Sequence, residues 1–134
     1  MFASIFEYAR KSLFRLQVIM RTIALSYVMS VKAFDGRQVV LLDDEWLHIR
    51  FRHPEVGSST NILSTALIQP DEAYRDGRGG VHALKRIDEE YFLVVIYQPT
   101  DNQGIVRTAY LTSVQRKDRR YRQLHSLKRS LNSI

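Results

Sequence analysis

The sequence predicts an α+β fold: N-terminal helices packed on one face of a four- to five-stranded antiparallel sheet, followed by a basic C-terminal helix. Three observations carry this. Asp35-Gly36, a pair suited to a tight hairpin turn, separates two apolar runs. Two segments with apolar residues at helical spacing then end at Pro54 and Pro70. Last come three apolar runs of strand length joined by turn formers. Helices followed by a meander is the order of an α+β domain.

The elements follow from local chemistry. Residues 1–28 read as a peripheral helical segment, because Phe2, Ile5, Phe6, Ala9, Leu13, Leu16, Met20, Ile23, Ala24 and Tyr27 recur at helical spacing. The longest uncharged run there, Thr22 to Val31, has 10 residues, against roughly 20 needed to span a bilayer. No transmembrane segment is expected, and contact of this segment with a membrane surface is not favoured. Met29 is an alternative start, since "MSVKAFDGR" opens directly into the first strand signal. The main domain is taken as 29–134.

Val31 to Phe34 and Gln38 to Leu42 form the hairpin arms. Asp43 or Asp44 can accept from the free amides of the next helix, which carries Trp46, Ile49 and His53 on one face. Ser58 or Ser59 caps a second helix through Ile62, Leu63, Ala66 and Leu67. Val81–Ile87, Tyr91–Gln98 and Gly104–Ser113 are the strands, the middle one apolar on both faces as a central strand should be. Tyr121, Leu124, Leu127 and Leu131 suggest a helix through the tail.

Composition narrows function. The chain has no cysteine, and its four histidines show no zinc-binding spacing, so no metal or other cofactor is expected. The net charge of +6 is confined to the tail from about residue 114. There Arg116, Lys117, Arg119, Arg120, Arg122, Lys128 and Arg129 face a single anion, Asp118, whereas residues 1–113 balance at zero. Such a cluster attracts phosphates, which favours a nucleic acid bound without sequence reading.

Candidate chemistry centres on "HIRFRHPE", His48 to Glu55. His48 and Arg52 are four apart and share a helix side, and His53 lies nearer the face of Trp46 and Ile49. An imidazole exchanges protons near neutrality, and a guanidinium holds a phosphate with a rigid fork of donors. In "VRTAYLTS", alternation puts Val106, Thr108, Tyr110 and Thr112 on one face of a strand. Lys85 and Arg86 face opposite ways, so one of them reaches the open face of the sheet. The bland alternative for each is a solvated helix face or ordinary strand packing. For His82 and Tyr74 a surface position is preferred.

The order "DDEWLHIRFRHPEV", "IQPDEAY", "YFLVVIY", "IVRTAYLTS" resembles the phage-associated branch of the barnase–EndoU–colicin–RelE nuclease superfamily over roughly Val31 to Ser113. The shared pattern is W-x-H-I-x-x-R-H-P-E, a proline-aspartate step, an apolar strand and a closing T-A-Y strand. The resemblance implies a small α+β nuclease that cuts RNA without metal, with a motif at Trp46, His48, Arg52, His53, Pro54, Thr108 and Tyr110. By position it adds Lys85 or Arg86. It also implies a cytoplasmic toxin-like role, with an antitoxin or immunity protein as partner.

The chemistry asks for the same residue types. RNA cleavage by its own 2′-hydroxyl needs a base, an acid and cations on the phosphorane. His48 is the preferred acid/base group and His53 the second choice. Arg52 with Lys85 or Arg86 would hold the phosphate, Thr108 would donate to it, and Tyr110 would position a nucleotide or assist proton transfer. Arg116, Lys117, Arg119, Arg120 and Arg122 would bind the RNA backbone. The competing reading is a non-catalytic module that binds RNA or protein on the same fold.

Overall fold

A computed structural model describes residues 26–128. Its architecture is α+β, with three helices and a seven-stranded mixed sheet. In chain order the elements are β1 (Tyr27–Lys32), β2 (Gln38–Leu42), α1 (Asp43–Arg52), a 3-10 turn (Pro54–Val56), α2 (Asn61–Ile68), β3 (Glu72–Arg75), β4 (Val81–Arg86), β5 (Tyr91–Thr100), β6 (Gln103–Ser113), α3 (Val114–Tyr121) and β7 (His125–Lys128). The strand order is β1-β2-β6-β5-β4-β3-β7.

The sheet is larger than the four to five strands expected, and it is not purely antiparallel. β2 pairs in parallel with β6 over Gln38–Val40, while β4, β5 and β6 form the expected antiparallel meander. The close β2–β6 approach depends on Gly104, where a Cβ would sit 2.8 Å from Tyr97 and 3.2 Å from Val39. β3 and β7 were not anticipated. "EAYR" is short and half charged, so it carries no alternation long enough to read.

The tail is corrected too: its helix stops at Tyr121, and His125–Lys128 is an edge strand paired with β3. The Lys128 ammonium donates to the Pro70 carbonyl at 2.6 Å, a bond that ties this strand down. Leu127 packs with one core cluster and Leu124 with the other, so contacts on two sides override the helical spacing. Arg129 and Leu131 lie outside the described residues, as does the N-terminal helical stretch except for its end, where Tyr27 and Val28 already belong to β1.

Two core clusters sandwich the sheet. One joins Leu41, Trp46, Ile49, Leu63 and Leu67 to Leu93, Val95 and Tyr97, so α1 and α2 are packed against this side. The other holds Tyr74, Leu84, Phe92, Val94 and Tyr121, with Ile96, Tyr110, Val114 and Leu124 against it. Alternation along β5 sends odd residues to the first cluster and even ones to the second. α3 closes the second side through Tyr121.

The hairpin turn differs in detail from the two-residue type. The Gly36 N–H donates to the Ala33 carbonyl, and only Gly36 takes a positive φ, 89°. Asp35 is pinned there by the Arg37 N–H and by the Tyr97 hydroxyl at 2.6 Å. No described helix is long and apolar enough to cross a membrane.

Candidate functional site

α1 carries the first candidates. It starts after Leu42, with Asp44 accepting from the Glu45 N–H, and ends where Pro54 opens the 3-10 turn. Trp46 and Ile49 are its buried residues, which leaves His48 and Arg52 exposed on a flank. The His48 side chain is 65% exposed and lies 3.8 Å from Glu45 one turn back. His53, at the C-terminal boundary, turns inward instead. Its imidazole is 3.3 Å from Glu55, and its ring centroid is 5.7 Å from that of Tyr110.

Tyr110 comes from β6, and a bulge decides its face. Ile96 pairs with Thr108 but Tyr97 with Val106, so Arg107 is the extra residue. Val106 therefore joins the first core cluster, away from Tyr110, whereas simple alternation grouped it with Thr108 and Tyr110. The Tyr110 hydroxyl is buried without a hydrogen-bond partner. Its ring is the part left for contact from outside.

α3 contributes a cation to the same place. The Arg120 guanidinium lies 5.6 Å from the Tyr110 ring and 5.8 Å from the Tyr121 ring. Three parts of the chain thus meet: the end of α1, the middle of β6 and the last turn of α3. Among the named candidates, His53, Tyr110 and Arg120 are brought together, with Thr108 on the same sheet face two residues from Tyr110.

The other candidates are placed elsewhere. Lys85 donates to the Gln69 carbonyl at 2.9 Å and lies 3.8 Å from Asp71, at the end of α2. Arg86 covers the Phe92 ring at 4.9 Å and donates to the Asp88 carbonyl. Arg116, Arg119 and Arg122 are exposed. Lys117 is not part of that outer set, because it is 7% exposed and contacts both Glu72 carboxylate oxygens at 3.2 and 3.0 Å.

His82 and Tyr74, for which a surface position was preferred, are buried. His82 Nε2 is 2.8 Å from Asp76 Oδ2, and its Nδ1 is 2.8 Å from the Tyr121 hydroxyl. Tyr74 stacks on Tyr121 at 4.8 Å and donates to Glu72. Burial pushes the His82 pKa down and outweighs the upward pull of Asp76. For Asp76, burial acts to raise the pKa, but hydrogen bonds from His82 and from the Arg78 and Gly80 N–H groups hold it below the usual carboxylate range. Burial also raises the Tyr121 pKa far above the ordinary phenol value, with Tyr110 adding to the effect.

Only one signal pointed to this network: "YRD" and "VHALK" flank a glycine-rich turn that brings Asp76 and His82 together. Tyr121 carried no signal toward it. Among the described residues, no group of three or more His, Cys, Asp or Glu is placed to hold a metal ion. The chain matches no family model, no curated protein and no solved structure.

Proposed function

We propose that the protein is an endoribonuclease that cleaves RNA with its own side chains. The supporting observation is the meeting of the His53 imidazole, the Tyr110 ring and the Arg120 guanidinium from three separate segments. An acid/base group, an aromatic platform and a cation at one place suit a phosphodiester with an adjacent base.

In this reading His53 removes the 2′-hydroxyl proton and the 2′-oxygen attacks phosphorus. The 5′-oxygen leaves with a proton from solvent, giving a 2′,3′-cyclic phosphate and a 5′-hydroxyl, since His48 stands exposed on the flank of α1 beside Glu45. Arg120, which lies over the Tyr110 ring, offsets the charge that grows on the phosphorane, and Arg52 is left on the exposed flank of α1. Thr108 donates to a phosphate oxygen, and the exposed arginines Arg116, Arg119 and Arg122 hold the backbone on either side. Lys85 and Arg86 are left to the periphery. The order of the two histidines is thus reversed, because His53 rather than His48 touches the aromatic platform. A toxin-like role in the cytoplasm, restrained by an antitoxin or immunity protein, accompanies this proposal.

His53→Ala should slow cleavage of a labelled RNA by roughly a hundred- to ten-thousand-fold with unchanged unfolding. Equal cleavage by wild type and variant at matched purity would end the proposal. A second reading, a module that binds without turnover, is favoured by Leu47 and Phe51, which are 64% and 85% exposed and one turn apart on α1. Intact RNA after prolonged incubation, with no cyclic phosphate ends, would select it.

A further inference from the structure

We propose that residues 1–25 pack across the second side of the sheet, over β2 and the start of β6, as an integral part of the fold whatever the chain's activity.

The reason lies in β2. Val39 and Leu41 point into the first core cluster, so alternation sends Val40 and Leu42 to the opposite side. There they are 8% and 3% exposed, yet among the described residues neither belongs to either cluster. The described helices do not account for this burial. α1 and α2 pack on the first side through Trp46, Ile49, Leu63 and Leu67. On the second side α3 joins residues of β3, β4, β5 and β6, and none of β1 or β2. An apolar strand that is dry on both faces has a layer on each. The second layer over β2 must then come from outside residues 26–128.

Two stretches are available, 1–25 and 129–134. The later one is out of reach. β7 stands five strand spacings from β2, roughly 24 Å, whereas the six residues after Lys128 extend at most about 22 Å. The earlier one enters at the right place. The Ser26 carbonyl accepts from the Asp43 N–H at 3.2 Å, and the Ser26 hydroxyl donates to the Asp43 carboxylate. Residue 25 therefore joins the described chain beside the end of β2. Burial on this side of β2 rises toward that same end, from the exposed Gln38 through Val40 to Leu42.

The segment also carries a matching surface. Leu13, Leu16, Met20 and Ile23 recur at spacings of three and four, one apolar stripe, with Arg15 and Arg21 off it. Ile105, half-buried and paired with Val40, continues the apolar face onto β6, the strand that carries Thr108 and Tyr110. The segment is thus a neighbour of the candidate site, on the same side of the sheet as α3. A chain started at Met29 would leave this face open.

Methyl NMR of the full chain tests the packing. Leu13, Leu16 or Ile23 should show NOEs to methyl groups of Val40, Leu42 or Ile105. A mixture of differently labelled chains should show no such NOEs between molecules. Leu16→Ser with Met20→Ser makes the stripe polar without adding charge. Trypsin should then cut after Arg15 and Arg21 at least about tenfold faster than in wild type, because cleavage follows the population of the open form. Absence of the NOEs overturns the proposal, and so does equal cleavage of wild type and a folded double variant. NOEs that arise only between chains overturn it too, and give the face to a second copy. Should the double variant fail to fold, the wild-type NOEs decide alone.

Discussion

Lys117→Met leaves Glu72 inside the protein without its cation, and the cost can be worked from the contacts. Both oxygens of Glu72 bond to the ammonium, at 3.2 and 3.0 Å, and the two side chains are 3% and 9% exposed. Removing one partner of a buried pair costs about 3–5 kcal/mol, because the remaining charge can be neither paired nor hydrated. Two contacts reduce that figure. The Tyr74 hydroxyl still donates to Glu72, and a methionine thioether can replace the lysine's contact with the Phe92 ring, 4.9 Å away. The lower end, about 3 kcal/mol, is therefore expected, equivalent to a fall in Tm of about 10 °C for a domain of this size. Urea unfolding followed by the fluorescence of Trp46 measures it directly. Adding Glu72→Gln, which removes the stranded charge and keeps an acceptor for Tyr74, should recover most of the loss. A loss below about 1 kcal/mol for the single variant, or no recovery in the double, would refute the reasoning.

The remaining expectations concern the sheet, the tail and pH. Gly104→Ala should cost about 1–3 kcal/mol in denaturant unfolding, because its Cβ would sit 2.8 Å from the Tyr97 ring where β2 and β6 approach. Single replacement of Arg116, Arg119 or Arg122 by alanine should lower the slope of log K for single-stranded RNA against log salt by about 0.7 each. The same change at Lys117 should act through stability and leave that slope unaltered. The folded pKa of His82 is depressed below 6.5, so its contribution to stability is complete above about pH 6.5 and is lost as pH falls through the folded value. Asp76 and Asp35 are held below 3.8 and add a further loss only at more acid pH. Between pH 6.5 and 5, wild type should therefore lose more stability than His82→Gln, and parallel curves would contradict the burial argument.

How far the residues could be read in advance varied with the range of the interaction. The helices over 43–52 and 61–68 and the strands from Val81, Tyr91 and near Gly104 followed from periodicity and proline, which act within a few residues. β3 and β7 were not legible, because four residues rich in charge become a strand only through partners elsewhere in the chain. In the candidate site, His53 and Tyr110 were named from local pattern. That their rings come within 5.7 Å, and that Arg120 lies over Tyr110, depends on side chains from β6 and α3 reaching the residue that ends α1.

His82 and Lys117 show why composition misleads at single positions. A histidine between small residues and a lysine in a run of arginines both look solvated. Each is buried because a distant acceptor compensates it: Asp76 for the first, and Glu72, 45 residues away, for the second. By itself the sequence determined where chain direction and local periodicity change, the excess of positive charge after residue 113, and which side chains are able to exchange protons near neutrality. Only the tertiary structure decided which of those groups are dry, which are paired and which meet. Those properties come from contacts between segments far apart in the chain, and no local pattern encodes them.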